Sequence, residues 1–543
     1  MKPPCDDAVI QARSATSPCR GRQAAWILAA TILGSSMAFI DGTVVNVALP
    51  ALQNSFGASI PQVQWVIESY GLTLAALLLV GGSMGDMFGR RRMFLLGVGL
   101  FAAASAYCGL APSIGHLIAA RAVQGVGAAF LVPESLALIS ASFDESARGR
   151  AIGTWSGSTA ITTAIGPVLG GWLIEHLSWR WAFFINLPLA LAVIVISLRH
   201  VPESRSTRQG RIDWLGASAA TFSLTALTFG LIESSRWGWT HPVVLATLIA
   251  GIAGLLGFLF IEDKEESPMV PLTLFRSRAF SGANLLTLFL YAALSIFFFA
   301  FPLDMIQVQG YSATAAGAAA LPFILLMFSL SRWSGGLVAR YGARRPLMVG
   351  PCIAALAFFL FSVPSVGGSY WSTFFPAVVT LGLGMAVSVA PLTTVVMDAV
   401  DQDRVGTASG INNAVSRVAG VLAIAGLGAL MVASFSNHLS HRLDALALPN
   451  DVRAELQVNE IKMAALMPPD GIDPQAAAAI RESIVASFVS SFRLMMWICS
   501  ALALISAAVA ARMIPRTRVA EEAEVAYNRR VGADPSKPSE GAA

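Results

Sequence analysis

Asp41, Glu68, Arg121, Glu134 and Arg417 stand inside long apolar runs of the sequence. An ionisable side chain in such a run costs free energy to desolvate, so it points to a function or to a fixed partner. Carboxylate and guanidinium together suggest a particular chemistry. A carboxylate in a dry layer beside a guanidinium can stand charged and paired, or can take up a proton and release the guanidinium. At about 1.5 Å of rise per residue, Asp41, Glu68 and Arg121 each fall roughly 9 to 12 Å below one end of their runs, so the three can share a layer. The plainer reading is a permanent bridge between Asp41 and Arg121, with Glu68 as a structural polar group. Glu134 follows Pro133 near the opposite end of its run and reads as a solvated mouth residue. Arg417 falls near mid-run, where it either pairs locally or meets an anionic ligand. His116, His176, His200, His241, His438 and His441 all lie at run ends or between runs, which argues against a buried histidine relay.

Other chemistries fail on spacing. Gly81 to Gly85 reads GGSMG, but an apolar helix precedes it where a nucleophile elbow needs a strand. Lys2, Lys264, Lys462 and Lys537 never follow glycine, so the chain carries no P-loop. No histidine is followed by glutamate, and Cys5, Cys19, Cys108, Cys352 and Cys499 make no CxxC pair; we expect no metal and no enzyme.

The elements that must position these residues follow from composition. The 543 residues are 55% hydrophobic and 13% charged with a mean hydropathy of +0.66. A soluble domain carries about a quarter charged residues, so a soluble globule is excluded. A membrane helix needs about 20 apolar residues. Fourteen runs qualify, near 25–49, 62–82, 93–111, 115–140, 151–174, 181–199, 213–233, 242–261, 279–303, 314–338, 346–364, 370–397, 407–432 and 488–512. The connections after even-numbered spans hold sixteen Lys and Arg residues, while the opposite short connections hold only Arg180 and Arg236. By the positive-inside rule both termini face the cytoplasm. The net charge of +4 therefore reflects orientation, not nucleic-acid binding. The segment 433–487 becomes one long external connection, with amphipathic helix expected around Pro449, Pro468 and Pro469.

The chain also repeats itself. GSMGDMFGRRR at Gly82 to Arg92 recurs as GGLVARYGARR at Gly335 to Arg345, Gly125 and Gly127 recur as Gly382 and Gly384, and Gly149, Ala151 and Gly153 recur as Gly406, Ala408 and Gly410. The offsets of 253, 257 and 257 pair spans 1 to 6 with spans 9 to 14. The expected organisation is a leader 1–24, a six-helix bundle 25–200, a linker 201–278 with two extra helices, a second six-helix bundle 279–515 and a tail 516–543. In the loop after span 2, Gly82, Gly85 and Gly89 permit close approach and a tight turn, while Asp86 stands among three arginines. Span 5 carries Gly157, Gly166, Pro167, Gly170 and Gly171, a pattern for tight packing and bending.

With IDGTVVNVALP at Ile40 to Pro50, LIAARAVQGVGAA at Leu117 to Ala129, GPVLGG at Gly166 to Gly171 and WRWAFFINLPL at Trp179 to Leu189, the sequence resembles the major facilitator superfamily over nearly its whole length. It is similar to the fourteen-helix drug:proton antiporter branch of the EmrB/QacA type. The resemblance implies an all-α integral membrane protein of two six-helix bundles plus two inserted central helices. It implies proton coupling through Asp41 with Arg121, to which the burial argument adds Glu68. It further implies a cytoplasmic gating loop at Gly82, Asp86, Gly89 and Arg90, and an antiporter signature at Gly157, Gly166, Pro167, Gly170 and Gly171. Ala339 stands where Asp86 would align, so gating should be asymmetric. Arg417 and Glu134 remain candidates for substrate contact or charge pairing.

The expectation is an inner-membrane antiporter that sits in the lipid bilayer and uses the proton motive force, with no cofactor, to export small amphipathic substrates from the cytoplasm. The resemblance alone implies a periplasmic adaptor and an outer-membrane channel as partners if the host has two membranes; nucleic acid is not expected. Two rivals stay open: an exporter dedicated to one metabolite such as a siderophore, antibiotic or lipid intermediate, and a non-transporting membrane sensor or scaffold.

Overall fold

The computed structural model describes residues 22–515 apart from 144, 206–212, 266–267, 401–404, 447 and 470. Most of the expected leader, the tail 516–543, and Arg208, Arg211, Arg404, Cys5 and Cys19 lie outside the described residues. Among the described residues every regular element is helical, and fourteen helices are long and apolar enough to cross a membrane. The first six are α1 (Arg22–Phe56), α2 (Ile60–Phe88), α3 (Arg90–Leu110), α4 (Ile114–Ser142), α5 (Glu145–His176) and α6 (Trp181–Phe184, continued by Asn186–His200). An inserted pair follows, α7 (Trp214–Trp237) and α8 (Pro242–Lys264). The last six are α9 (Arg278–Leu303, ending in a π turn Asp304–Val308), α10 (Ala313–Ala319, resumed as Leu321–Tyr341), α11 (Arg344–Phe361), α12 (Phe375–Asp398), α13 (Val405–Asp444) and α14 (Pro474–Met513).

Local sequence sets the reversals. Gly57 takes a φ of +62° after α1, and the Gln62 side chain accepts the Ser59 N–H at 2.9 Å to open α2. Asp213, Ser277 and Asp473 each accept a first-turn N–H, starting α7, α9 and α14. Gly89 and Gly342, partners in the sequence repeat, both adopt positive φ, +111° and +71°, at the ends of α2 and α10. A side chain there would strain the backbone, which explains why glycine recurs.

The repeat is also a repeat of contacts. In the first bundle α1 packs on α5 and α6, and α4 packs on α2 and α3. In the second, α9 packs on α13 and α14, and α12 packs on α10 and α11. A Cβ on Gly97 of α3 would meet the Gly127 carbonyl of α4, as one on Gly350 of α11 would meet the Gly384 carbonyl of α12. Gly125 sits against Tyr70 and Thr73, and Gly382 against Phe323 and Leu326. Bare glycine faces thus bring the same helix pairs into backbone contact in both halves.

The halves meet along two seams, α2 with α13 and α5 with α10. The inserted α7 packs on both α2 and α13, bracing the first seam, and Trp65 Nε1 donates to Glu233 Oε1 at 3.1 Å there. Helix α8 shows Ile249, Ile252, Leu256 and Phe260 to the outside, as a lipid-facing helix must.

The expected connection 433–487 is corrected in kind. Helices α13 and α14 each run 40 residues, so both continue past the ends predicted at 432 and 488. Hydropathy drops there, but Leu, Ala, Arg and Glu sustain helix, so the rods outlast their apolar stretch. An amphipathic helix, Asn450–Asn459, does follow Pro449, whereas Pro468 and Pro469 lie in non-helical chain before α14.

Candidate functional site

Five helices of the first bundle converge on Asp41, which is wholly buried. Asp41 Oδ2 pairs with Arg121 Nη1 of α4. Asp41 Oδ1 accepts from Gln124 Nε2 at 2.8 Å and from Asn186 Nδ2 of α6 at 3.3 Å. Arg121 Nε donates to the Val66 carbonyl of α2 at 3.1 Å, and its Nη1 also donates to Gln124 Oε1 at 2.7 Å. Its guanidinium lies 4.2 Å from the centre of the Tyr70 ring and 5.9 Å from that of Phe183. Asn186 donates in turn to Ser105 Oγ of α3 at 3.0 Å. The carboxylate is thus charge-paired and fully hydrogen-bonded, the condition under which an ion can remain in a dry interior.

Between the two bundles lies a cavity of about 520 Å³ lined mostly by apolar and aromatic side chains, among them Phe39, Phe298, Phe301 and Phe323. Arg121 forms part of its wall and Asp41 sits behind Arg121, out of contact with the cavity. Glu68 also lines it, buried, with Oε2 lacking a hydrogen-bond partner among the described residues. The structure brings Asp41 and Arg121 together but leaves Glu68 outside their network. Arg417 reaches the same cavity from α13.

On the side opposite Arg22 and Met513, which we call the far face, the halves are tied shut. Gln64 Nε2 donates to the Ile424 carbonyl at 2.8 Å, and Gln307 Nε2 to Gln53 Oε1 at 2.9 Å. Gln53 Nε2 donates to the Lys462 carbonyl at 2.9 Å, and the Thr314 N–H to Glu175 Oε2 at 3.2 Å. The far-face end of α5 adds to this closure through Gly171 and Pro167, while its other glycines serve packing elsewhere. Gly166 and Gly170 press on Thr43 and Val44 of α1, while Gly171 meets the Ala313 backbone and Pro167 meets Gly317, both of α10. Gly157 faces Phe328 of α10.

At the arginine-rich face Asp86 Oδ1 accepts from Arg90 Nε at 3.0 Å and Nη2 at 2.7 Å across the turn at Gly89. A Cβ on Gly82 would touch only the Pro133 side chain. Glu203, which the sequence reading did not single out, caps the start of α3: it accepts the N–H groups of Arg91 at 3.0 Å and Arg92 at 3.2 Å and fills the space a side chain at Gly89 would need. Its signal was a lone acid in the arginine-rich stretch after span 6. In the second bundle alanines 339 and 343 replace Asp86 and Arg90 in register, yet Arg344 still reaches the Ala511 carbonyl of α14, as Arg91 reaches the Val201 carbonyl after α6.

Glu134 departs from expectation. It is 0% exposed with both carboxylate oxygens unpartnered among the described residues, so it is no solvated mouth residue. Gly81 and Gly85 of α2 let α4 approach so closely that the Glu134 carboxylate occupies the space beside Gly85. Gln124 and Asn186 were also missed. Gln124 lies one turn from Arg121 and so shares its helix face, a signal that was available.

Two matched helix bundles around a closed-ended apolar cavity define a membrane transporter, not an enzyme. The Major Facilitator Superfamily model matches residues 31–213 and 206–424, and the chain belongs to that family. It is 36% identical over 438 residues to Multidrug resistance protein Stp of Mycobacterium tuberculosis, covering 78% of this chain and 79% of Stp. It is 33% identical to the Tetracenomycin C resistance and export protein of Streptomyces glaucescens, covering 92% and 93%. Among solved structures it resembles a bacterial homologue of the human lysosomal transporter Spinster in an inward-facing, unoccupied conformation, with a TM-score of 0.62, 17% identity and coverage of 91% and 99%. At that identity the likeness is one of fold.

Proposed function

We propose that the chain is a proton-coupled antiporter that exports amphipathic compounds across the cytoplasmic membrane by alternating access, with its arginine-rich face and termini in the cytoplasm. The observation that carries the reading is the Asp41–Arg121 pair at the wall of a cavity shared by two bundles. Protonation of Asp41 would free Arg121 from its carboxylate, and Arg121 already borders the cavity. Substrate arrival and proton release can therefore act on one guanidinium, which is the differential contact that alternating access requires. Each elementary charge carried across 100 mV supplies about 2.3 kcal/mol, and a pH gradient adds to it. No cofactor is needed beyond the proton motive force. Relatives named for drug resistance and export agree with the outward direction.

The test is substrate-driven proton movement in proteoliposomes. Asp41→Asn keeps the shape and part of the hydrogen bonding, so we expect a folded protein in which added substrate no longer moves protons. Coupling as strong as in the parent protein would refute the proton role. A narrower reading, export of one dedicated metabolite, is favoured by the relative named for a single antibiotic. Susceptibility of deletion cells to one compound instead of many would select it.

A further inference from the structure

Among the described residues Arg417 is a cation without a counter-charge. It lines the central cavity from α13, and among the described residues it makes no ion pair and no hydrogen bond. An arginine stays protonated in any protein interior, so it cannot shed this charge by titration. Among the described residues the one carboxylate that shares the cavity with it, Glu68, stands on α2 of the opposite bundle and forms no bridge with it. Arg121 differs on every count: it has a carboxylate, an amide and a carbonyl around it.

The surroundings of Arg417 are prepared for a polar group. Asn413 and Ser416, within one turn on α13, and Ser295 on α9 line the same cavity, while Phe298, Phe301 and Phe323 supply flat apolar walls. Guanidinium groups bind carboxylates and phenolates through paired, charge-assisted hydrogen bonds, and a low-dielectric wall strengthens such bonds. We infer that Arg417 is the anion-docking residue of this cavity and that the preferred substrates are aromatic organic acids whose carboxylate or phenolate meets it. This inference rests on the export reading only in taking the cavity as the substrate site.

Binding of dansylglycine and of its neutral isostere dansylglycinamide to the purified full chain in nanodiscs, read by dansyl fluorescence, tests it. The parent protein should bind the acid about tenfold more tightly than the amide, a gain one charge-assisted contact can supply. Arg417→Gln should weaken the acid to the level of the amide and leave the amide unchanged, which also shows that the variant is folded. Arg417→Lys should keep part of the preference. A parent protein that does not prefer the acid, or a preference that survives in Arg417→Gln, overturns the proposal. Flux of the acid under an imposed pH gradient is measured separately: preferential binding without flux would sink the export reading and leave this assignment standing.

Discussion

Asp41 and Arg121 are each costly alone and tolerable together. Removing one member of a buried pair strands the other, at a cost of about 3–5 kcal/mol. Arg121→Leu should therefore lower stability by that amount, and Asp41→Leu added to it should recover much of the loss; a double variant as unstable as the sum of both singles would show that the two do not act as a pair. Gln124 accepts from Arg121 and donates to Asp41, so it holds both ends of the bridge. Gln124→Leu removes one hydrogen bond from each ion while Asp41 keeps Asn186 and Arg121 keeps Asp41, and we expect a loss of about 0.5–1.5 kcal/mol in denaturant unfolding together with slower exchange. The charges of this network were legible because an acid or base in an apolar run is conspicuous. Its neutral members were legible only in part: Gln124 shares a helix face with Arg121, but Asn186 and Tyr70 inside their spans carry little signal until the fold shows which helices meet.

Helix α2 owes its position to glycines that face α4. A Cβ at Gly81 would overlap the Ala129 carbonyl, a backbone atom that cannot swing aside. Gly81→Ala should cost about 1–3 kcal/mol by overpacking. Gly336, in the corresponding region of α10, meets nothing within 4 Å. Gly336→Ala should shift thermal unfolding by no more than about 1 kcal/mol, in the stabilising direction that helix propensity sets. The capping of α3 by Glu203 leads to a third expectation: Glu203→Gln weakens the charge on that helix start, with a loss of about 0.5–2 kcal/mol in the same assay. Span number and order were plain in the sequence because about 20 apolar residues leave few alternatives. The ends of α13 and α14 were not, because a helix leaving the membrane keeps its backbone hydrogen bonds while its hydropathy falls. Glu134 was misplaced for a related reason: position along a helix says how deep a residue lies, but only the glycine contact of α2 shows that α4 is sealed there.

As a whole the molecule is two copies of one bundle, tied together at the far face by Gln53, Gln64, Gln307 and the Glu175–Thr314 contact. The alternating access proposed above requires these ties to part. Cysteines at Glu175 and Thr314, in a background without other cysteines, joined by a short cleavable thiol crosslinker, should reduce transport to background while dansylglycine still binds; cleavage should restore it. Transport that persists when the link is complete would mean that this seam does not open. The matching glycine contacts of α3 with α4 and α11 with α12 explain why the twofold plan could be read from letters alone: backbone touching backbone admits one residue type. The inserted pair breaks that plan on one side only: α7 braces the α2–α13 seam, α8 packs on α7, and among the described residues α5–α10 has no equivalent.

At about 1.5 Å per residue, the 40 residues of α13 and of α14 make rods near 60 Å long, about twice the hydrocarbon thickness. Their tips are joined through Asn450–Asn459 and the turn Glu460–Ala465, whose Lys462 carbonyl accepts from Gln53 of α1. Such rods act as pointers: a small tilt of the second bundle inside the lipid becomes a wide sweep in the water beyond it. A binder that grips the tips from outside would therefore arrest the carrier without touching its cavity.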